Sequence, residues 1–224
     1  MSKPRKSRYV TTPPESLAPS GPPPVPQADA LRIIGGSMRG RQVAYSGDPR
    51  TRPMKDRVRE AVFNLLGPTP QGKHVLDLFA GTGALGLEAV SRGAARATFY
   101  ERHFPTADII RRNVATLGVE NICEVVAANT FLQFRRGRDT LPAADPAQPW
   151  LVFCSPPFAF YVERQAEMIE LLTTVTELAP PGSVIVAESD EQFDFNLLPS
   201  PEEWNVRDYP PARIGMLWLT PTEA

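Results

Sequence analysis

The chain has 224 residues, with 24 Lys and Arg against 25 Asp and Glu and an isoelectric point near 6.2. This size fits one globular domain of roughly 100–200 residues with an appendage. No run approaches the ~18 apolar residues needed to cross a bilayer, so we expect no membrane span. The two cysteines and two histidines cannot form a disulfide scaffold or a zinc cluster, and we expect no metal. Because no secretory signal pattern is present, we expect a cytoplasmic location.

The near-zero net charge conceals a division along the chain. Residues 1–60 have a charge balance of +7, whereas residues 61–224 have a balance of −8. A basic N-terminal part can contact phosphates while the rest of the surface stays acidic and soluble. The alternative is a solvated basic surface without a binding role.

The N-terminal third divides into two regions. Residues 1–30 contain eight of the 25 prolines and almost no large apolar side chains, so we expect a disordered, basic, Pro-rich arm. Residues 31–70 predict a basic hairpin followed by a helix. Apolar residues of 54–66 recur at helical spacing, and the helix is expected to end before Gly67 and Pro68.

From residue 71 to 224, short apolar runs alternate with helical patterns. The expected strands lie near residues 75–79, 96–100, 122–126, 150–154 and 183–188, with a final apolar run at 214–219. The expected helices lie near residues 84–92, 104–117 and 162–178. This alternation predicts an α/β domain with a mostly parallel sheet, helices on both faces, and ligands at the carboxyl ends of the strands.

The main motif joins the first of these strands to the helix that follows it. Gly81 and Gly83 allow the backbone to turn sharply and approach a ligand. Glu101 stands at the end of the next strand, where a carboxylate can accept both hydroxyls of a ribose. The spacing therefore predicts a nucleoside cofactor across the edge of the sheet. The alternatives are a purely structural turn and a solvated strand end.

A second motif follows the strand at 150–154. The adjacent prolines Pro156 and Pro157 fix a rigid turn. This turn directs the Ser155 hydroxyl into the same crevice, and Phe158 offers a surface on which a planar base can stack. The pattern predicts a nucleobase pocket, with an ordinary Pro-Pro turn and a core phenylalanine as the alternative.

With these motifs, the sequence resembles the RsmD family of 16S rRNA guanine-N2 methyltransferases over about residues 31–219. The matching segments are Arg32-Ile33-Ile34-Gly35-Gly36 with Arg39-Gly40-Arg41, Arg52-Pro53 with residues 56–60, and residues 76–89. The resemblance implies a Rossmann-like class I methyltransferase domain over residues 71–224, with a seven-stranded, mostly parallel sheet. It implies S-adenosylmethionine (SAM) as cofactor and 16S rRNA or the assembling small ribosomal subunit as partner, and we expect a monomer.

The resemblance also assigns roles to individual residues. The glycine loop would hold the methionine end of SAM, Glu101 the ribose, and Asn129 the adenine. The full set of expected cofactor residues is Asp77, Phe79, Gly81, Thr82, Gly83, Glu101 and Asn129. The expected catalytic residues are Ser155, Pro156, Pro157 and Phe158. The residues expected to bind rRNA phosphates are Arg32, Arg39, Arg41, Arg52 and Lys55.

Ser155 departs from the family motif, which has Asp or Asn before the two prolines and then Tyr or Phe. The longer acid or amide side chain accepts a hydrogen bond that orients the exocyclic amine, and serine is shorter. A weakly active or inactive relative that binds SAM or rRNA in ribosome assembly is therefore the alternative function. A nicotinamide-dependent oxidoreductase, motivated by the glycine fingerprint alone, ranks last.

The sequence leaves the roles of two further features open. Glu188 ends the strand at 183–188 and is assigned either to the crevice or to a polar strand end. The second basic cluster is interpreted either as a solvated helix end or as an RNA contact. Its members are Arg135, Arg136 and Arg138.

Overall fold

A computed structural model gives the structure of residues 31–45, 47, 54–137 and 148–220. The predicted disordered arm of residues 1–30 lies outside these described residues, as do Arg52 and Arg138.

Nine strands and six α-helices form within the described residues. The strands are β1 (Leu31–Arg32), β2 (Gln42–Val43), β3 (His74–Asp77), β4 (Arg96–Tyr100), β5 (Cys123–Val126), β6 (Trp150–Cys154), β7 (Val184–Asp190), β8 (Asn205–Tyr209) and β9 (Ala212–Trp218). The helices are α1 (Asp56–Leu66), α2 (Ala84–Ser91), α3 (Phe104–Leu117), α4 (Thr130–Arg135), α5 (Phe160–Glu163) and α6 (Gln165–Leu178).

Seven strands form one sheet in the order β5-β4-β3-β6-β7-β9-β8, which confirms the predicted seven-stranded α/β architecture. The strands β5, β4, β3, β6 and β7 are parallel, and β9 runs antiparallel to both β7 and β8. The sheet is therefore mixed. We did not predict β8, because its polar, largely exposed sequence at the sheet edge lacks an apolar run.

Apolar side chains cover both faces of this sheet. Because successive residues of a strand point to opposite faces, neighbours in β3 enter different clusters. Val75 joins a cluster with residues of α1, α2 and α3, whereas Leu76 joins one with residues of α4, α5 and α6. The helices thus bury one apolar layer on each side, as the alternating sequence pattern predicted.

The hairpin of β1 and β2 packs onto α2 through buried polar contacts. The fully buried Glu88 carboxylate accepts hydrogen bonds from the backbone N–H groups of Ile34 at 2.7 Å and Gly35 at 2.8 Å. The same carboxylate pairs with Arg92 at 2.8 Å. Leu31, Ile33 and Val43 lie in the same apolar cluster as Val75. Residues 31–45 and the sheet therefore share one core.

Gly36 approaches α2 so closely that a side chain there has no room. Its φ is +77°, and a Cβ atom would lie 1.9 Å from the Ser91 carbonyl oxygen. That carbonyl accepts a hydrogen bond from Ser37 N at 2.7 Å. Gly40, at φ +83° in the same hairpin, faces open space.

We expect Gly36→Ala to lower the free energy of unfolding by about 3 kcal/mol or more, because the clash with backbone adds to the left-handed conformation. Gly40→Ala is the matched control and is expected to lose only about 1–2 kcal/mol, the cost of the left-handed conformation alone. Urea denaturation of both variants measures the difference. Equal losses would contradict the close approach to Ser91.

Candidate active site

A cavity of about 770 Å³ opens at the carboxyl ends of β3, β4 and β6 and beside β7. Its volume lies in the range of pockets that hold small molecules. It is lined by Phe79 and Gly81 after β3, Glu101 after β4, Ser155, Pro156, Pro157, Phe158 and Phe160 after β6, and Glu188 on β7. The structure therefore brings the glycine loop and the Pro-Pro turn to one cavity.

The glycine loop is fixed to the end of β4 by the Glu101 carboxylate. Gly81 N donates a hydrogen bond to Glu101 Oε2 at 3.0 Å, and His103 N donates one to Oε1 at 2.8 Å. Each carboxylate oxygen can accept more than one hydrogen bond, so both can also accept from a ligand hydroxyl. Glu101 is partly exposed and faces the cavity in a fixed orientation, as a ribose-binding carboxylate would.

Four of the predicted cofactor residues do not line the cavity. They are Asp77, Thr82, Gly83 and Asn129. Asp77 Oδ2 accepts a hydrogen bond from Gly86 N at 3.1 Å and so holds the start of α2 beside β3. Asn129 Oδ1 accepts one from Phe131 N at 3.1 Å and caps α4. Gly83 is the N-cap residue just before α2 and has φ +76°, a conformation that glycine adopts at low cost.

The Pro-Pro turn places two polar side chains side by side. The half-buried Ser155 hydroxyl donates a hydrogen bond to Glu188 Oε2. Glu188 is only 8% exposed, and burial raises the pKa of its carboxyl group, while the Ser155 hydrogen bond opposes this rise. The structure therefore places Glu188 in the crevice, which was one of the two positions left open by the sequence.

Several lining residues were not predicted from the sequence. Phe160 contacts Phe79 with ring centroids 6.1 Å apart, and the Arg164 guanidinium lies 5.1 Å from the Phe160 ring centre. The turn between β8 and β9 closes another side of the cavity, through Tyr209, Pro210, Pro211 and Ala212. The second Pro-Pro pair is a turn signal, but nothing local to it indicates which cavity it borders.

The predicted phosphate-binding residues have different surroundings. Lys55 is exposed and lines the cavity, and Arg39 is exposed on the hairpin. Arg32 is exposed and lies 3.9 Å from Asp56. The Arg41 guanidinium donates hydrogen bonds to the carbonyls of Thr116 and Leu117, so it stabilises the end of α3.

In the second basic cluster, Arg135 forms an ion pair with Glu170 at 2.6 Å, whereas Arg136 is exposed.

Within the described part of the chain, no three His, Cys, Asp or Glu side chains lie together as metal ligands would. No helix there is both long and apolar enough to cross a membrane.

Comparison with known proteins agrees with this architecture. The family model described as "Conserved hypothetical protein 95" matches residues 31–211. Ribosomal RNA small subunit methyltransferase D of Escherichia coli is 39% identical over 177 residues, which cover 79% of this chain and 82% of the relative. The protein of the same name from Haemophilus influenzae is 35% identical over 176 residues, covering 79% and 86%. The chain belongs to the RsmD family.

Solved structures show the same fold. The yhhF protein from Escherichia coli is 31% identical, has a TM-score of 0.66, and covers 85% of this chain and 98% of its own. The 16S rRNA N2 methyltransferase RsmC of Thermus thermophilus has a TM-score of 0.63 at 17% identity, covering 85% of this chain and 49% of its own. The predicted class I methyltransferase fold is therefore confirmed. The predicted function, an rRNA methyltransferase, is confirmed at the level of the RsmD family.

The buried Asp77 below the glycine loop gives a pH-dependent prediction. Burial raises the pKa of its carboxyl group to about 7, and Oδ1 has no hydrogen-bond partner. An unfolded aspartate titrates near 4, so the folded state binds an extra proton between about pH 4 and pH 7. As the pH rises, the unfolded state loses this proton at a lower pH than the folded state does. This group therefore lowers the free energy of unfolding as the pH rises through that window.

We expect Asp77→Asn to raise the free energy of unfolding by a few kcal/mol at pH 7.5, with the gain shrinking towards pH 4.5. Chemical denaturation at several pH values measures this difference. The exposed Glu177→Gln variant of α6 is the control and should follow the native pH dependence. A gain for Asp77→Asn that does not change with pH would contradict the raised pKa of Asp77.

Proposed function

We propose that this protein uses S-adenosylmethionine to methylate the N2 amine of a guanine in 16S rRNA. The observation that supports this most directly is the shared cavity, which joins a ribose-type carboxylate and a glycine loop to a rigid Pro-Pro-Phe turn. The family relatives named ribosomal RNA small subunit methyltransferase D support rRNA as the substrate. The RsmC neighbour, solved with AdoMet and guanosine, has the same fold.

The residues of the cavity fit an adenosyl cofactor. Glu101 has two fixed oxygens for the ribose hydroxyls, and the turn at Gly81 leaves backbone close to the ligand. Phe79 and Phe160 provide apolar walls. Bound there, S-adenosylmethionine would supply a methyl group activated on a sulfonium. The role of the chain is to hold this group and the base in line.

On the substrate side, the chain must hold a base that has left its stack. Phe158 lines the cavity and gives a planar surface for such a base, and base–aromatic stacking contributes about 1–3 kcal/mol. Pro156 is buried and Pro157 is exposed at the rim, so this turn is rigid where the base would enter. Lys55 lines another side of the same cavity, where it would contact the phosphate of an extruded nucleotide.

Ser155 supports one alternative, a relative that binds SAM or rRNA without catalysis. Its hydroxyl is already used by Glu188, so it does not itself replace the Asp or Asn of the family motif. Methyl transfer is the property that separates the two functions.

We expect purified protein with labelled S-adenosylmethionine to methylate 16S rRNA or small ribosomal subunits, with N2-methylguanosine identified by mass spectrometry of digested rRNA.

Glu101→Gln should lower the affinity for S-adenosylhomocysteine about tenfold or more, since the variant loses hydrogen bonds to a charged acceptor. Calorimetry measures this affinity, and exposed Glu177→Gln is the control. Cofactor binding without transfer to any rRNA would contradict catalysis and favour the alternative, and binding of NAD alone would favour an oxidoreductase.

For the basic face, we expect Lys55→Ala and Arg39→Ala each to weaken rRNA binding. Each should also reduce the slope of log affinity against log salt by about 1, because each removes one phosphate contact. Arg41 is unsuitable for this test, since its guanidinium stabilises α3. Arg112→Ala is the control, because Arg112 is exposed on α3 and does not line the cavity. Unchanged slopes for both Lys55→Ala and Arg39→Ala would contradict this assignment.

A further inference from the structure

The register of two neighbouring strands places a carboxylate beside the position where the family motif has its acid or amide. In the parallel pair of β6 and β7, Cys154 lies opposite Ala187. The next residues along the chain are therefore Ser155, just after β6, and Glu188, within β7. Their side chains meet, with the Ser155 hydroxyl donating to Glu188 Oε2.

Glu188 has the surroundings of a residue that acts on a ligand. It lines the same cavity as Phe158 and Glu101 although it is almost completely buried. Within the described residues, Glu188 accepts a hydrogen bond from Ser155. This hydrogen bond uses only Oε2 of Glu188, so Oε1 remains available to accept a hydrogen bond from a ligand. A buried carboxylate without a cationic partner is costly for a fold, which favours a functional reason for its position.

We propose that Glu188 supplies the acceptor that position 155 lacks: its carboxylate accepts a hydrogen bond from the exocyclic amine of the target guanine and takes up the proton that this amine loses. This inference rests on the proposed function. The lone pair of the amine nitrogen forms the new N–C bond, and the electron pair of the broken C–S bond goes to sulfur. One N–H proton passes to Glu188, which then returns it to solvent.

The same carboxylate would distinguish guanine from adenine. Guanine presents two neighbouring donors, N1–H and N2–H, which match the two oxygens of a carboxylate. Adenine presents an acceptor at N1, which a carboxylate repels. Because burial raises the pKa of the Glu188 carboxyl, this group is also a better proton acceptor than an ordinary surface carboxylate.

In this arrangement Ser155 is a positioning residue. Its hydroxyl fixes Oε2 and so directs the rest of the carboxylate towards the base above Pro156. Loss of this one hydrogen bond leaves the carboxylate in place but less oriented. We therefore expect Ser155→Ala to lower kcat about tenfold, with a smaller change in the KM for rRNA.

The test compares methyl transfer to 16S rRNA by four forms of the full chain: native, Ser155→Ala, Glu188→Gln, and the double variant Ser155→Asp with Glu188→Gln. We expect Glu188→Gln to lower kcat on the order of 100-fold, because it removes the proton acceptor. The double variant restores a carboxylate on the neighbouring strand and should recover at least tenfold of the loss. Exposed Glu191→Gln, just after β7, is the matched control and should retain native activity.

Two measurements separate a chemical role from a structural one. Calorimetry with S-adenosylhomocysteine should give the same affinity for every variant within about threefold, and thermal unfolding should show each to be folded. With S-adenosylhomocysteine bound, saturation-transfer NMR should show that native protein prefers guanosine to adenosine. Glu188→Gln should lose that preference.

The outcomes distinguish this inference from the proposed function. Transfer by Glu188→Gln within about threefold of native overturns the role of Glu188 and leaves the methyltransferase function standing. A loss that the double variant does not recover, accompanied by weaker S-adenosylhomocysteine binding, also overturns it, because Glu188 would then support the fold. A native protein that transfers no methyl group to any rRNA overturns both.

Discussion

The parallel register of β3, β4 and β6 determines where the chemistry of this protein can occur. Asp77 lies opposite both Phe99 and Phe153, so the three strands end at nearly the same level. The loops that follow must therefore leave the sheet side by side, and their backbone groups face one crevice. The hydrogen bond from Gly81 N to Glu101 Oε2 then joins two of these loops beside the cavity. Glu101, Ser155 and Phe158 follow these strand ends, so the sheet fixes their positions at the cavity.

The N-terminal segment, residues 31–45, is anchored to the rest of the domain by buried charged side chains. Glu88 is fully buried between the backbone of Ile34 and Gly35 and the side chain of Arg92. Arg59 of α1 is also fully buried and donates to the carbonyl of Arg32 and to Asp56. Breaking such contacts is costly, since it leaves a charge or a backbone group without a partner. The contact of Arg59 with the Arg32 carbonyl fixes α1 against this segment, and Lys55, which caps the start of α1, lines the cavity.

Local sequence patterns were sufficient to predict the parts of the site that depend on backbone geometry. Gly81, Glu101 and the turn at Pro156 each have a signal within a few residues, and all three line the cavity. Contacts between distant segments gave no such signal. The pairing of Arg41 with the end of α3 spans 76 residues, so its structural role could not be inferred from a basic pattern. The sequence did not predict β8, because an exposed edge strand needs no apolar run. The turn between β8 and β9 reaches the cavity because of how the strands pair, which no local sequence signal indicates.

The Ser155 position shows why a motif confined to one strand end can misjudge a site. In the sequence, Ser155 stands where the family pattern has an acid or amide, which suggests a weakened active site. Across the sheet, the neighbouring strand brings Glu188 to the same place, 33 residues later in the sequence. Adjacent parallel strands lie about 5 Å apart, so a carboxylate from either one can reach the same point above the Pro-Pro turn. The proposed reaction requires an acceptor at that point, and the sheet allows this acceptor to come from either of two strands. Loss of a motif residue therefore predicts loss of activity only after the residues at neighbouring strand ends have been considered.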